Sequence, residues 1–96
     1  MIKIYGSRRS RATRCMWLLE EMGTPYELVP VDRAAGANRE PAYLALNPAG
    51  KVPILKLAGL ILRESHAINL WLAQHEGTGF WPADPALQGQ ILQWTI

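Results

Sequence analysis

The opening third of the chain constrains the fold more than anything after it, because a β-branched run, an amphipathic helix and a second apolar run follow one another with few spare residues. Ile2-Lys3-Ile4-Tyr5 is β-branched and aromatic and stops at Gly6, which predicts a first strand. Ala12, Cys15, Met16, Leu18 and Leu19 then recur at helical spacing until Gly23-Thr24-Pro25 breaks the pattern, and Ser7 or Ser10 is available to cap the start. Tyr26 to Val31 reads as a second strand. A strand-helix-strand unit this short pairs its strands in parallel through a right-handed crossover, so the fold grows from a βαβ unit.

The remainder is a different mixture. Glu40 to Leu46 has room for a short helix before Asn47-Pro48-Ala49-Gly50 breaks it. Val52 to Leu57 and Leu60 to Arg63 flank Ala58-Gly59 and predict an antiparallel hairpin, with Pro53 confined to the first residues of its strand because it cannot donate to a ladder. Ser65 to His75 predicts another helix, with Ser65 as N-cap and Ala67, Ile68, Trp71 and Leu72 at core spacing. The order is β-α-β-α-β-β-α, an α/β fold. Gly77 to Asp84 reads as a linker, and Asp84-Pro85 as the cap and first turn of a further helix. That helix carries an apolar stripe of Leu87, Ile91, Leu92, Thr95 and Ile96 with nothing later in the sequence to cover it.

Composition excludes several classes of function. With 96 residues, 49% of them hydrophobic and 19% charged, the chain has material for one globular domain. Cys15 is the sole cysteine, which rules out an intrachain disulfide, a Cys-x-x-Cys redox pair and a multi-thiolate metal site, and fits a reducing, cytoplasmic setting. Cys15 itself lies on the apolar side of its helix and reads as packing. His66 and His75 do not share a helix face, so no metal is expected. Lys56 and Arg63 punctuate the most apolar stretch, and no membrane span is expected. Arg8, Arg9, Arg11 and Arg14 crowd together, but no basic stripe continues from them; they read as a solvated helix start, and no nucleic acid is expected. Trp17, Trp71, Trp81 and Trp94 read as core and interface anchors.

Three separated segments carry the chemistry: Tyr5-Gly6-Ser7-Arg8-Arg9-Ser10-Arg11, Asn47-Pro48-Ala49-Gly50-Lys51-Val52-Pro53, and Glu64-Ser65-His66-Ala67-Ile68. In this order, and on this element sequence, they resemble the N-terminal, thioredoxin-like domain of cytosolic glutathione transferases, particularly the serine-type theta, delta, tau and bacterial members. The resemblance implies a thioredoxin-like fold with a mixed four-stranded sheet. It divides the chain into a glutathione-binding domain over 1–76, a linker over 77–84, and a truncated start of an all-helical C-terminal domain over 85–96. It implies glutathione as co-substrate, an electrophile the sequence does not identify, a homodimer, and little activity from these residues alone.

Residue by residue, the resemblance gives Val52-Pro53 a cis bond and makes its backbone the edge on which the tripeptide pairs as an added strand. Glu64 and Ser65 hold the γ-glutamyl group, since a carboxylate suits an ammonium while a hydroxyl beside a helix N-terminus suits a carboxylate. Lys51 approaches the glycine carboxylate. Ser7, the first serine of Ser-x-x-Ser-Arg, faces the glutathione sulfur as hydrogen-bond donor, and Ser10 is its rival. A non-catalytic glutathione-binding or protein-interaction module on the same fold is the alternative, because a fold does not fix a function.

Overall fold

The computed structural model describes residues 1–76 and 79–95. Strand β1 (Ile2–Gly6), helix α1 (Ala12–Met22) and strand β2 (Tyr26–Pro30) form the opening unit, with β1 and β2 parallel from Ile2 opposite Tyr26 to Gly6 opposite Pro30. A single 3-10 turn, Ala37–Arg39, leads into α2 (Pro41–Leu46). Then come β3 (Ile54–Leu57), β4 (Leu60–Arg63), α3 (Ser65–His75) and α4 (Pro85–Thr95). The sheet order is β2-β1-β3-β4, with β3 antiparallel to β1 and β4 antiparallel to β3, which is the mixed four-stranded thioredoxin-like sheet.

Period-two alternation divides the core between the two sheet faces. Ile2, Ile4 and Leu55 point to one face, where they meet Ala12, Cys15, Met16 and Leu19 of α1 and Ile68 and Leu72 of α3. Their strand neighbours Tyr5 and Ile54 turn to the other face and pack with Val31 and with Tyr43 of α2. Leu19, Ile68 and Leu72 are fully buried, each contributing about 1.5–3 kcal/mol relative to exposure. The sheet and these three helices thereby fix the two turns and the pre-β3 loop where the site forms.

Several boundaries differ from the sequence reading, each for a local reason. Helix α1 begins at Ala12 with Arg11 in the N-cap position, and no side chain of Arg11 caps it. Ser10 sits one residue early, although its hydroxyl still accepts the Ala12 N–H at 3.2 Å. Ser65 is the first helical residue of α3 rather than its N-cap, which is Glu64. Strand β3 starts at Ile54, so Pro53 lies just outside the ladder it cannot serve. Strand β2 ends at Pro30, yet the Val31 N–H still reaches the Gly6 carbonyl at 3.0 Å. Ala67 is exposed, because the buried stripe of α3 narrows to Ser65, Ile68 and Leu72. Trp17 and Trp94 are 70% and 84% exposed and anchor no core among the described residues. Asp84 caps α4 as expected, its Oδ1 accepting the Ala86 N–H at 3.1 Å. Helix α4 buries none of its described residues, with Leu87 and Leu92 exposed and Ile91 half-buried. Ile96 of that stripe and Gly77-Thr78 of the linker lie outside the described residues.

Gly6 is required by close approach at the end of β1. A Cβ there would stand 2.5 Å from the Ala12 Cβ and 3.1 Å from the Ser10 Oγ. The Ala12 Cβ cannot swing away without moving α1. Gly6→Ala is therefore expected to cost about 1–3 kcal/mol, the range for forced overpacking. Urea denaturation checks this, and an unshifted midpoint would mean that the turn yields freely.

Candidate functional site

The site is assembled from three connections between elements. The first is the turn from β1 to α1, organised by a buried hydroxyl. Ser10 Oγ accepts the N–H groups of Ser7 and Ala12 at 3.1 and 3.2 Å and donates to the Ser7 carbonyl at 2.8 Å. Ser7 is half-buried, and its own hydroxyl takes part in no described hydrogen bond. Sequence reasoning offered these two serines as alternatives, and the structure gives them different situations. Ser10 lines the same cavity as Lys51 and Val52, whereas Ser7 lines a neighbouring cleft against Leu28, Pro30 and Val31.

The second connection is the loop from α2 to β3, held on two sides. The Tyr43 hydroxyl and the Asn47 amide both donate to the Lys51 carbonyl, and Asn47 Oδ1 accepts the Ala49 N–H at 3.1 Å. From the other side, the Asn38 amide donates to the Gly50 carbonyl at 2.9 Å. Burial, with a smaller contribution from Tyr5, pushes the Tyr43 phenol up to about 12, so it stays a donor at any physiological pH. The loop delivers Val52 with a free backbone: the Val52-Pro53 bond is cis, and no described backbone hydrogen bond outside the strands engages Val52. Tyr43 and Asn38 were not singled out by sequence reasoning, and Asn47 only as the start of the helix-breaking segment that leads to Val52-Pro53. Asn47 ahead of Pro48 carried a detectable signal, since Asn before proline favours a side-chain-closed turn.

The third connection joins β4 to α3. Glu64 takes φ 73° and ψ 121°, a left-handed backbone that costs a non-glycine residue about 1–3 kcal/mol. Strain of this kind persists only where surrounding structure enforces it. Arg63 supplies part of that restraint by donating through Nε and Nη2 to the Leu46 carbonyl at 3.0 and 2.6 Å. Ser65 follows, buried, with its hydroxyl 3.4 Å from Arg14 Nη1 and its carbonyl accepting from the Cys15 thiol at 3.8 Å. The Asn69 amide adds a bond to the Arg14 carbonyl at 3.3 Å, so α1 and α3 are stitched together beneath the site.

These connections converge on two cavities. One, of about 290 Å³, is lined by Val52, Pro53, Glu64 and Ser65, together with Arg11, Lys51 and Arg63. The other, of about 730 Å³, is lined by Ser10, Arg9, Arg14 and Arg33, and again by Arg11, Lys51 and Val52. Shared lining residues make them parts of one depression. Ser10, Lys51, Val52, Pro53, Glu64 and Ser65, drawn from three distant segments, therefore come together, and Ser7 stands one cleft away. The four arginines read from sequence as a solvated helix start are all exposed there, and Arg9, Arg11 and Arg14 also line this depression. Strand β3 is interior to the sheet rather than the edge strand read from sequence, so what the depression offers is the unpaired backbone at Val52 ahead of β3, with a carboxylate, a hydroxyl at a helix start and several cations. These groups are complementary to a short, extended peptide that carries charges at both ends.

Cys15 takes no part in it. Burial raises its thiol from 9.0 to about 12 against a smaller opposing effect of the Arg14 charge, so it is inert at neutral pH. The folded pKa lies above the ordinary value, so the stability this group supplies is present below pH 9.0 and is lost as pH rises toward about 12. Native protein is expected to resist alkylation at pH 8, and Cys15→Ala to flatten the loss of stability above pH 9. Rapid labelling of the folded chain would refute the burial argument.

The comparisons with known proteins show the family and the fold. The family described as glutathione S-transferase, N-terminal domain, matches residues 1–74. A glutathione S-transferase of Silene vulgaris is 46% identical over 83 residues, covering 80% of this chain and 38% of the relative. The crystal structure of a theta class glutathione S-transferase from Xanthomonas axonopodis pv. citri, with glutathione bound, superposes with a TM-score of 0.89 at 40% identity, over 97% of this chain and 45% of that one. A glutathione S-transferase structure from Pseudomonas fluorescens gives 0.86 at 42% identity, over 97% and 46%. The chain thus spans less than half the length of the relatives it resembles.

Proposed function

The chain belongs to the glutathione S-transferase family, and from that membership we propose that it binds glutathione across the Val52–Ser65 groove and, within the whole protein, activates its thiol for attack on an electrophile. The observation that carries this reading is the convergence of unpaired backbone at Val52, the strained Glu64 and the helix-start Ser65 on one groove. Glutathione is extended and bears an ammonium and a carboxylate at one end and a second carboxylate at the other. Glu64 takes the ammonium. The Ser65 hydroxyl and the first N–H groups of α3 take the adjoining carboxylate, Val52 pairs with the cysteinyl backbone, and Lys51 meets the glycine carboxylate.

The sulfur then lies toward the β1–α1 turn. A hydroxyl donated to a thiolate is worth about 1.5–3 kcal/mol as a charge-assisted bond, which lowers a thiol pKa of about 8.5 by roughly 1–2 units. Ser10 is the better supported donor, because it lines the cavity that holds Lys51 and Val52. Its hydroxyl would swing from the Ser7 carbonyl to the sulfur. The thiol proton passes to water, a sulfur lone pair forms the new C–S bond, and the leaving group departs with its bonding pair.

In the same reading, Pro85–Thr95 begins a helical second domain that completes the electrophile site, and the protein works as a homodimer in the cytoplasm. Exposure of Leu87 and Leu92 supports the first of these. The test is calorimetric. Glutathione is expected to bind, cysteinylglycine, which lacks the γ-glutamyl group, to bind at least about tenfold more weakly, and the full-length protein to consume thiol with an activated aryl halide. Equal affinity for the two peptides would remove the γ-glutamyl reading, and binding without turnover would leave the non-catalytic module.

A further inference from the structure

We propose that the ligand bound beside glutathione is an anion with an apolar body, an aryl or alkenyl carboxylate, and that Arg9 and Arg33 select it. This rests on the glutathione reading above and adds the class of the electrophile. The first observation is an excess of positive charge. The larger cavity is lined by Arg9, Arg11, Arg14, Arg33 and Lys51, and no aspartate or glutamate lines it. Glutathione brings two carboxylates and one ammonium. Arg11 and Lys51 also line the groove that receives it, and Arg14 is directed to the Ser65 hydroxyl at 3.4 Å. Arg9 and Arg33 do not line that groove, and none of the contacts assigned to glutathione above uses them.

The second observation is where those two residues stand. Both also line the neighbouring cleft of about 580 Å³, whose wall is apolar through Leu28, Pro30, Val31 and Ala34. Arg33 reaches toward Arg9 with Nη2 3.5 Å from its carbonyl, so the two side chains border the passage between cavity and cleft. Arg8 and Asp32 complete the charges on this cleft, and Asp32 Oδ1 is occupied by the Ala35 N–H at 3.2 Å. One acid thus faces three guanidinium groups. An apolar cleft of this size with cations at its mouth is complementary to a hydrophobic molecule ending in a carboxylate, the anion that guanidinium groups bind in bidentate fashion. Arg9 and Arg33 are exposed, so the selection weakens as salt rises.

The test compares two conjugates by calorimetry: para-carboxy-ortho-nitrophenyl glutathione and its methyl ester at the aryl carboxylate. The acid is expected to bind about tenfold more tightly at low salt. Arg9→Gln with Arg33→Gln should bring the two conjugates close to parity, while affinity for glutathione itself shifts by less than about twofold. Arg39→Gln removes one unit of charge outside both cavities, against two in the double variant, and should preserve the preference. Equal affinities in the unaltered protein, with glutathione still bound, would overturn this inference alone. A preference that survives the double variant, or that Arg39→Gln abolishes as well, would overturn it too by pointing to another contact or to diffuse charge. Failure to bind glutathione or either conjugate would take the glutathione reading down with it.

Discussion

Replacing Glu64 and Ser65 together by alanine is expected to weaken glutathione binding by roughly a hundredfold or more, since each residue is assigned a hydrogen bond to a charged group worth about 1.5–3 kcal/mol. The two losses act through neighbouring contacts and need not add. What makes the expectation specific is the backbone. Glu64 holds φ 73°, a conformation that an alanine tolerates no better than a glutamate and that a glycine adopts without strain. Glu64→Gly is therefore expected to stabilise the fold by about 1–2 kcal/mol while it weakens glutathione binding. Stability and affinity should move in opposite directions, which a purely structural role for Glu64 does not produce. Calorimetric affinity unchanged in the double alanine variant would show that the γ-glutamyl group binds elsewhere, and a Glu64→Gly protein less stable than its parent would remove the strain argument.

Much of this arrangement was legible in the sequence because its determinants are local. The β-branched run Ile2–Tyr5, the helical spacing from Ala12 to Leu19 and the Asp84-Pro85 cap each act over a turn or a strand, and each produces the element it predicts. Glu64 and Ser65 were also named from the sequence and line one groove, although their geometry was not foreseen. A helix N-cap by serine is the ordinary expectation, and nothing in one sequence shows that the preceding glutamate takes a left-handed backbone instead. The contacts that position the site were the least visible. Tyr43 and Asn47 meet at the Lys51 carbonyl, and Arg63 reaches the Leu46 carbonyl, by side-chain bonds to backbone groups of a loop. Such bonds leave no periodicity. The arginines stand exposed at the helix start as read, but that Arg33 and Lys51 join Arg9, Arg11 and Arg14 around one cavity depends on the tertiary fold.

Ser10→Ala is expected to raise the pKa of glutathione bound to the full-length protein by about 1–2 units, and to slow turnover at neutral pH by about tenfold to a hundredfold. Ser7→Ala is expected to change either quantity by less than about threefold. The direction follows from which form the hydroxyl favours. A donor to the thiolate stabilises the charged state, so its removal leaves more of the bound thiol protonated at neutral pH. The deficit should therefore shrink as pH rises past the pKa of the variant, because unassisted thiol then ionises unaided. That convergence separates catalysis from structure. Ser10 also accepts the N–H groups of Ser7 and Ala12, and losing those bonds would lower stability without giving turnover this dependence on pH. Ser10→Thr keeps a hydroxyl and should recover most of the thiolate, whereas a merely packed position would be disturbed by the extra methyl group. Ultraviolet titration of the bound thiolate reads the shift directly. Should it move in Ser7→Ala and not in Ser10→Ala, the free hydroxyl of Ser7 is the donor, and the role of Ser10 reduces to holding the turn that presents it.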